Sequence, residues 1–492
     1  MLFNSYPFLF VFLPICLIGY FLLSKWGFVR IAVGWLLLMS LIFYGYWNVA
    51  YVPLIAISIL VNFGLGRWMG RIPPAGALAK GLLVLGLCFN LGALAYYKYA
   101  NFLVSNLPLP TLTERLEDQF HLSEIVLPLA ISFFTFQQLA YVVDAFRGQA
   151  KPYSLVEYAL FVAFFPQLIA GPIVHHQELI EQFQKPRKFI FSHHNFALGT
   201  VFFSLGLFKK VVIADTLSPW VASPFEHASE LSFIEAWAGA LSYTFQLYFD
   251  FSGYSDMAIG LGRMLNIRIP LNFNSPYKAI SIIDFWRRWH ITLSNFLRDY
   301  LYIPLGGSRK GEVRRSVNLF LTMLLGGLWH GAGWTYVIWG GLHGLYLTIN
   351  HWWRQKKIPL PRPLAWGITF LAIVVGWVLF RAKTFGDALQ ILHAMSGLEG
   401  IVVPGKYRSL LQGLSPLGVQ FNDLPSLSHL PGGIESLLVL AGLLVWVIWA
   451  PNVQEVVQGF KFRWWTAPLM AGLAVFALLS LNRVSEFLYF QF

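Results

Sequence analysis

The sequence predicts an all-α, polytopic integral membrane protein, and three observations carry that reading. The 492 residues are 57% hydrophobic and 12% charged, with a mean hydropathy of +0.60, far outside the range of soluble globular chains. Residues 31–66 contain no charged side chain, and one span needs about 20 residues to cross ~30 Å of hydrocarbon. That run is therefore two spans turning near Tyr46–Tyr51. The apolar segments are long and lack the ~10-residue alternation of barrel strands, and backbone in lipid must satisfy its own hydrogen bonds, so the spans are helices.

In chain order, spans are predicted near 7–24, 30–46, 50–66, 79–98, 125–143, 196–214, 233–258, 317–332, 334–350, 364–380, 435–451 and 465–481, about 11 to 12 in all. The first apolar block lacks a basic leader and a small-residue cleavage site, so it reads as a retained span. Lys25 with Arg30, then Arg67, Arg71 and Lys80, then Arg147 and Lys151 mark alternate loops as cytoplasmic, placing the N-terminus outside. The net charge of +12 is thus a topology signal and does not point to nucleic acid. Acidic residues Glu114, Glu117, Asp118 and Glu124 in 105–124, and Asp215, Glu226 and Glu230 in 215–232, suit the outer side. Cys16 and Cys88 both lie in apolar segments without a CxxC or a nearby histidine, so neither a disulfide nor a metal site is suggested.

Residues 158–174 look like a span, but basic loops flank both ends: Arg147 and Lys151 before, Lys185, Arg187 and Lys188 after. The segment is predicted to be re-entrant, broken at Pro166 and at Gly171–Pro172, and to border the functional site, because broken backbone survives at membrane depth only when buried in protein or lining a cavity. A full span with one loop on the unexpected side is the alternative. Residues 275–315 carry eight Lys or Arg against three acids, net +5. Trp286, Trp289, Phe296 and Tyr300 fall on one face of a continuous helix, which predicts an interfacial helix with an aromatic face and basic groups toward water. Thr384–Asp387 reads as a helix start, opening a surface helix and an outer loop over 381–434.

Ionisable groups inside spans are functional-site candidates by default. Asp250 and Asp256 in "YFDFSGYSDMAIGLG" are six apart, near opposite faces unless Gly253 bends the helix. They read equally as site carboxylates or as anchors for arginines of the next loop. His330, in "LLGGLWHGAGW", has Gly326, Gly327 and Gly333 close by, so a ligand could approach it. It suits a general base, and equally a packing histidine with glycines as small-residue contacts. His343 lies about 220° further around a continuous helix, so it belongs to a second helix and reads as packing. His290, in "FWRRWHITLS", is a loop-side histidine that could be surface or site.

Taken together, "MLFNSYPFLFVFLP", "SFFTFQQLAYVVDAFRG", "FPQLIAGPIVHH", "DFSGYSDMAIGLG", "DFWRRWHITLSNFLRDYLYIPLGG" and "GGLWHGAGWTYVIWGGLHG" resemble the membrane-bound O-acyltransferase family, and within it the bacterial branch typified by the alginate O-acetyltransferase membrane component. The likeness runs from residue 1 to the closing "EFLYFQF". It implies a single domain over 1–492, with N-terminal spans in 1–150, a catalytic core in 151–350 and C-terminal spans in 351–492, as a helical bundle around a central funnel. It further implies His330 and His290 as the two motif histidines, a cytoplasmic thioester donor such as acetyl-CoA or an acyl carrier, no bound cofactor or metal, and an acceptor hydroxyl beyond the membrane. An extracytoplasmic acetyltransferase subunit, the exported polysaccharide and, where the donor is carrier-borne, an acyl carrier protein are the partners it implies, in a bacterial cytoplasmic (inner) membrane. Arg287, Arg288 and Arg298 suit phosphates of a CoA-like donor, and anionic headgroups would suit them equally. Acetylation of peptidoglycan or another glycan, and D-alanyl transfer, use the same core. A transporter or flippase would also bury ionisable groups, but it predicts inverted repeats, which the sequence lacks.

Overall fold

The computed structural model describes residues 1–492 except 75, 109–124, 399, 418, 423–426, 462, 484–487 and 489–492. The acidic stretch around Glu114–Glu124 and most of the closing "EFLYFQF" therefore lie outside the described residues. The chain forms two compact units: one of residues 1–207, 254–272 and 457–481, the other of 208–253, 273–456 and 482–492.

In the first unit the N-terminal helices are α1 (Phe8–Lys25), α2 (Val29–Gly45), α3 (Tyr51–Met69), α4 (Ala77–Ser105) and α5 (Ile131–Phe146). The predicted spans reappear here with ends shifted by a few residues, because uniform hydropathy does not mark where a helix frays. Asn62 of α3 and Asn90 of α4 are buried and exchange amide hydrogen bonds at 2.6 and 3.2 Å, and each also donates to a carbonyl one turn back. Interhelical amides of this kind pin register where apolar surface alone cannot.

The 158–174 segment is broken as predicted, though one step earlier. Helix α6 (Leu155–Ala163) starts on a capping box of Ser154 and Glu157 and stops at Phe164, whose ψ of 107° leaves the helical region. A single turn, Phe165–Leu168, carries Pro166 in its first positions, where a missing N–H costs nothing. Extended backbone then leads to α7 (His176–Phe183). At nine residues α6 is about 14 Å long, too short to cross a bilayer alone.

Helix α8 (His193–Glu226) is longer than expected and continues through 215–226, read from sequence as an outer loop. Pro219 and Pro224 lie inside it. The division between units falls within α8 after Leu207, and within α9 (Phe233–Met264) after Gly253.

The second unit also holds α10 (Ile282–Trp286), α11 (Ile291–Leu297), α12 (Gly311–His330), α13 (Trp334–Lys356), α14 (Arg362–Arg381), α15 (Phe385–Met395) and α16 (Gly433–Trp449). The Thr384–Asp387 start is a full capping box. The loop beyond it is not wholly irregular: β1 (Ile401–Pro404) and β2 (Val419–Asn422) pair in parallel. Helix α17 (Thr466–Leu479) returns to the first unit.

One expectation is overturned. Residues 284–300 are not one interfacial helix, because His290 stands at φ 42°, ψ 54°, in the left-handed region, and separates α10 from α11. The aromatic face therefore splits. Trp289 is buried against Phe285, Phe273 and Trp377, while Phe296 and Tyr300 stack on each other at 5.0 Å.

Candidate active site

The second unit places both motif histidines from local rules. Around His290 the chain is folded onto α9 and α14 by Tyr277. Its hydroxyl donates to the Thr244 carbonyl at 2.6 Å and accepts from Trp377 Nε1 at 3.2 Å, and its carbonyl accepts from Trp366 Nε1 at 2.9 Å. Ser281 caps α10 through the Asp284 N–H, and Asp284 binds Arg288 Nε at 2.8 Å. The loop is closed by the Asn274 N–H donating to the Arg288 carbonyl at 2.9 Å. Two residues beyond this tied loop, His290 stands in a left-handed conformation that a non-glycine residue adopts at a cost of about 1–3 kcal/mol, a feature that clusters at functional sites. The ring is fully buried, 4.9 Å from Phe251. Burial pushes its pKa down to about 3, so it is neutral at physiological pH.

His330 is the last residue of α12, where Gly331 turns to extended backbone before α13 begins at Trp334. It is 7% exposed and ringed by Trp329, Trp339 and Phe380, at centroid distances of 4.9, 5.2 and 5.3 Å. Trp329 also lies 6.4 Å from His290. The two histidines thus flank one indole in a single buried aromatic setting.

Three glycines of α12 and α13 serve the packing of these two helices. A Cβ on Gly327 would drive into the Tyr336 carbonyl, one on Gly340 into the Met323 carbonyl, and one on Gly344 would sit 2.9 Å from the Phe320 Cα. They let α12 and α13 pack backbone to backbone. A side chain on Gly331 would meet the Tyr336 ring. His343 is fully buried on α13, and its Nδ1 accepts from Trp286 Nε1 at 3.3 Å.

Asp250 and Asp256 are both buried but belong to different units. Asp250 lies 2.7 Å from Lys210 Nζ and accepts the Leu488 N–H at 3.1 Å, and Lys210 also binds Asp215 at 2.6 Å. No arginine of the next loop pairs with Asp250 among the described residues. Lys210 escaped the sequence reading. Its signal was a lysine inside the apolar run "LFKKVVIAD", followed five residues later by an acid. The turn 209–214 is π-helical, with the Asp215 N–H bonded to the Lys210 carbonyl, which sets the pair one turn apart. Further along, Ser242, Tyr243, Gln246 and Ser252 of α9 are buried, and their side-chain oxygens have no hydrogen-bond partner among the described residues. Such groups imply bound water or a polar ligand.

Of the three arginines, Arg288 is tied to Asp284 and Arg298 is forked onto Asp299 at 2.7 and 2.9 Å. Arg287 is exposed and forms no ion pair among the described residues.

A mostly helical chain with, among the described residues, five helices long and apolar enough to cross a bilayer, and with two histidines buried beside one tryptophan, defines a multi-pass membrane protein. Residues 81–383 match the model of the membrane-bound O-acyltransferase family, and the chain belongs to that family. It is an acyltransferase. It is 46% identical over 434 residues to a peptidoglycan O-acetyltransferase of Helicobacter pylori, covering 82% of this chain and 81% of that one. It is 45% identical over 397 residues to a probable alginate O-acetylase of Pseudomonas aeruginosa, covering 80% and 75%. A teichoic acid D-alanyltransferase of Streptococcus thermophilus is 28% identical over 51% of this chain and 68% of its own.

Proposed function

We propose that this protein moves an acetyl group from a cytoplasmic thioester, acetyl-CoA or an acyl carrier, to hydroxyls of an exported polysaccharide such as alginate, in a bacterial cytoplasmic membrane and together with an extracytoplasmic acetyltransferase subunit. The observation that carries the reading is His330, placed by a helix end inside an aromatic wall with His290 across the same indole. In the reaction the acceptor oxygen attacks the acetyl carbonyl carbon, a C–O bond forms and the C–S bond breaks. His330 takes the hydroxyl proton and returns it to the departing thiolate. His290, kept neutral by burial, donates one hydrogen bond to the carbonyl or thiolate rather than supplying a full charge. The buried oxygens on α9 suit a polar acceptor or the water that accompanies it. Exposed Arg287 is the donor-phosphate candidate, since Arg288 and Arg298 already hold carboxylates.

The test uses purified, membrane-inserted His330→Ala with labelled acetyl-CoA and oligosaccharide acceptors. Loss of a positioned base lowers the rate about 10²- to 10⁴-fold, and a wild-type rate removes His330 from the chemistry. Arg287→Gln is expected to weaken donor binding more than acceptor binding, and more than Arg288→Gln does. Equal donor affinity in all three proteins leaves the arginines to lipid headgroups. Peptidoglycan is the second acceptor to assay, because the relative acting on it is as similar to this chain as the alginate ones. D-alanyl transfer has weaker support, from a relative matched over half the chain.

A further inference from the structure

We propose that Asp144, His175 and His176, far along the chain from both motif histidines, form a binding site for a divalent transition-metal ion of the zinc class. Consecutive side chains normally diverge. Here they converge, because His175 is the extended N-cap of α7 (φ −73°, ψ 139°) and His176 is its first helical residue. The two rings lie 4.3 Å apart, and their Nε2 atoms stand 2.7 and 3.1 Å from the same oxygen, Oδ2 of Asp144 at the end of α5. All three donor atoms fall within 4.8 Å of one another.

Two imidazole nitrogens and one carboxylate oxygen suit zinc, iron(II) or cobalt(II), and not the oxygen-seeking magnesium or calcium. Ligands on a tetrahedral ion with bonds of about 2.0–2.1 Å are about 3.3 Å apart, so the Asp144 contacts need to open by only a few tenths of an ångström. His176 Nδ1 is 3.0 Å from the Tyr153 hydroxyl, the outer hydrogen bond that fixes a ligating histidine's tautomer. Asp144 and His176 are buried while His175 is about one-third exposed, which leaves a side open for entry and for a water as fourth ligand.

Two features compete with the ion. In the hydrogen-bonded arrangement both Nε2–H groups donate to the carboxylate. An ion replaces those bonds as each proton moves to Nδ1, at the expense of the 3.4 Å contact from the Gln177 N–H to His175 Nδ1. Arg147 also sits 3.7 Å from Asp144, but on Oδ1, and it is partly exposed and able to swing away. The ion would tie the end of α5 to the loop before α7, inside the first unit.

The experiment measures metal content and zinc titration on full-length protein carrying a non-histidine affinity tag, in detergent. Cobalt(II) serves as a spectroscopic probe. Wild type is expected to take up one zinc per chain and to give a cobalt visible spectrum. His175→Asn, at the partly exposed position, and Asp144→Asn are expected to lose both, and Tyr153→Phe to bind about 10-fold more weakly. The proposal is overturned if wild type binds no zinc at micromolar concentration, or if His175→Asn, still monodisperse, binds it as tightly as wild type.

Discussion

Lys210 offers the sharpest test of the second unit's interior. It is 3% exposed, 2.6 Å from Asp215 and 2.7 Å from Asp250, whose side chains are 1% and 2% exposed. Replacing it with Met preserves the stem and removes the charge, leaving two carboxylates facing each other out of water. Breaking a buried pair by removing one partner costs about 3–5 kcal/mol, and here one cation serves two anions, which favours the upper part of that range. At roughly 2 °C per kcal/mol for a large domain, the melting temperature in detergent is expected to fall by about 6–10 °C. The triple variant Lys210→Met, Asp215→Asn, Asp250→Asn removes every charge at nearly constant volume. It is expected to recover most of the loss, since near-isosteric neutral replacements of buried ion pairs are often close to neutral in stability. The asparagine at 250 can still accept the Leu488 N–H. Thermal unfolding followed by size-exclusion chromatography reads both effects. A fall of less than about 2 °C for Lys210→Met would refute the reasoning, because it would mean that the three groups are hydrated rather than buried.

Two further outcomes follow from the geometry. His290 is held near pKa 3 in the fold against an ordinary value of 6.5, so below pH 6.5 the unfolded chain takes up a proton that the native chain refuses. Its contribution to stability is therefore full above pH 6.5 and declines as pH falls toward 3; His290→Asn, which tolerates the left-handed backbone, is expected to flatten that decline in an unfolding series over pH. Gly340→Ala, whose Cβ would drive into the Met323 carbonyl, is expected to pry α13 from α12 and abolish activity with loss of monodisperse protein, whereas the Cβ of Gly341→Ala meets only side-chain atoms at 3.6 Å and beyond and is expected to be tolerated. Equal yields of the two variants would contradict the close backbone packing.

The helical class, the broken 158–174 stretch and the helix start at Thr384 were all legible in the sequence, because each depends on local chemistry: hydropathy over about 20 residues, a proline's missing N–H, a cap three residues from its partner. The two motif histidines were legible only as motifs; spacing alone left His330 divided between packing and chemistry. What tertiary structure decided depends on residues distant in the chain. The left-handed His290 follows a loop that Tyr277, Asp284 and Asn274 tie down on its N-terminal side, and a run that reads as one amphipathic helix is two. Gly327 beside His330 proved to be part of the contact between two helices, since a small residue looks the same in sequence whether a ligand or a backbone lies against it. Lys210 joined Asp250 across 40 positions, and Asp144 met His175 and His176 across more than 30. Periodicity reports which way a side chain points along its own helix; the partner it meets there is set by packing between helices, which no local pattern encodes.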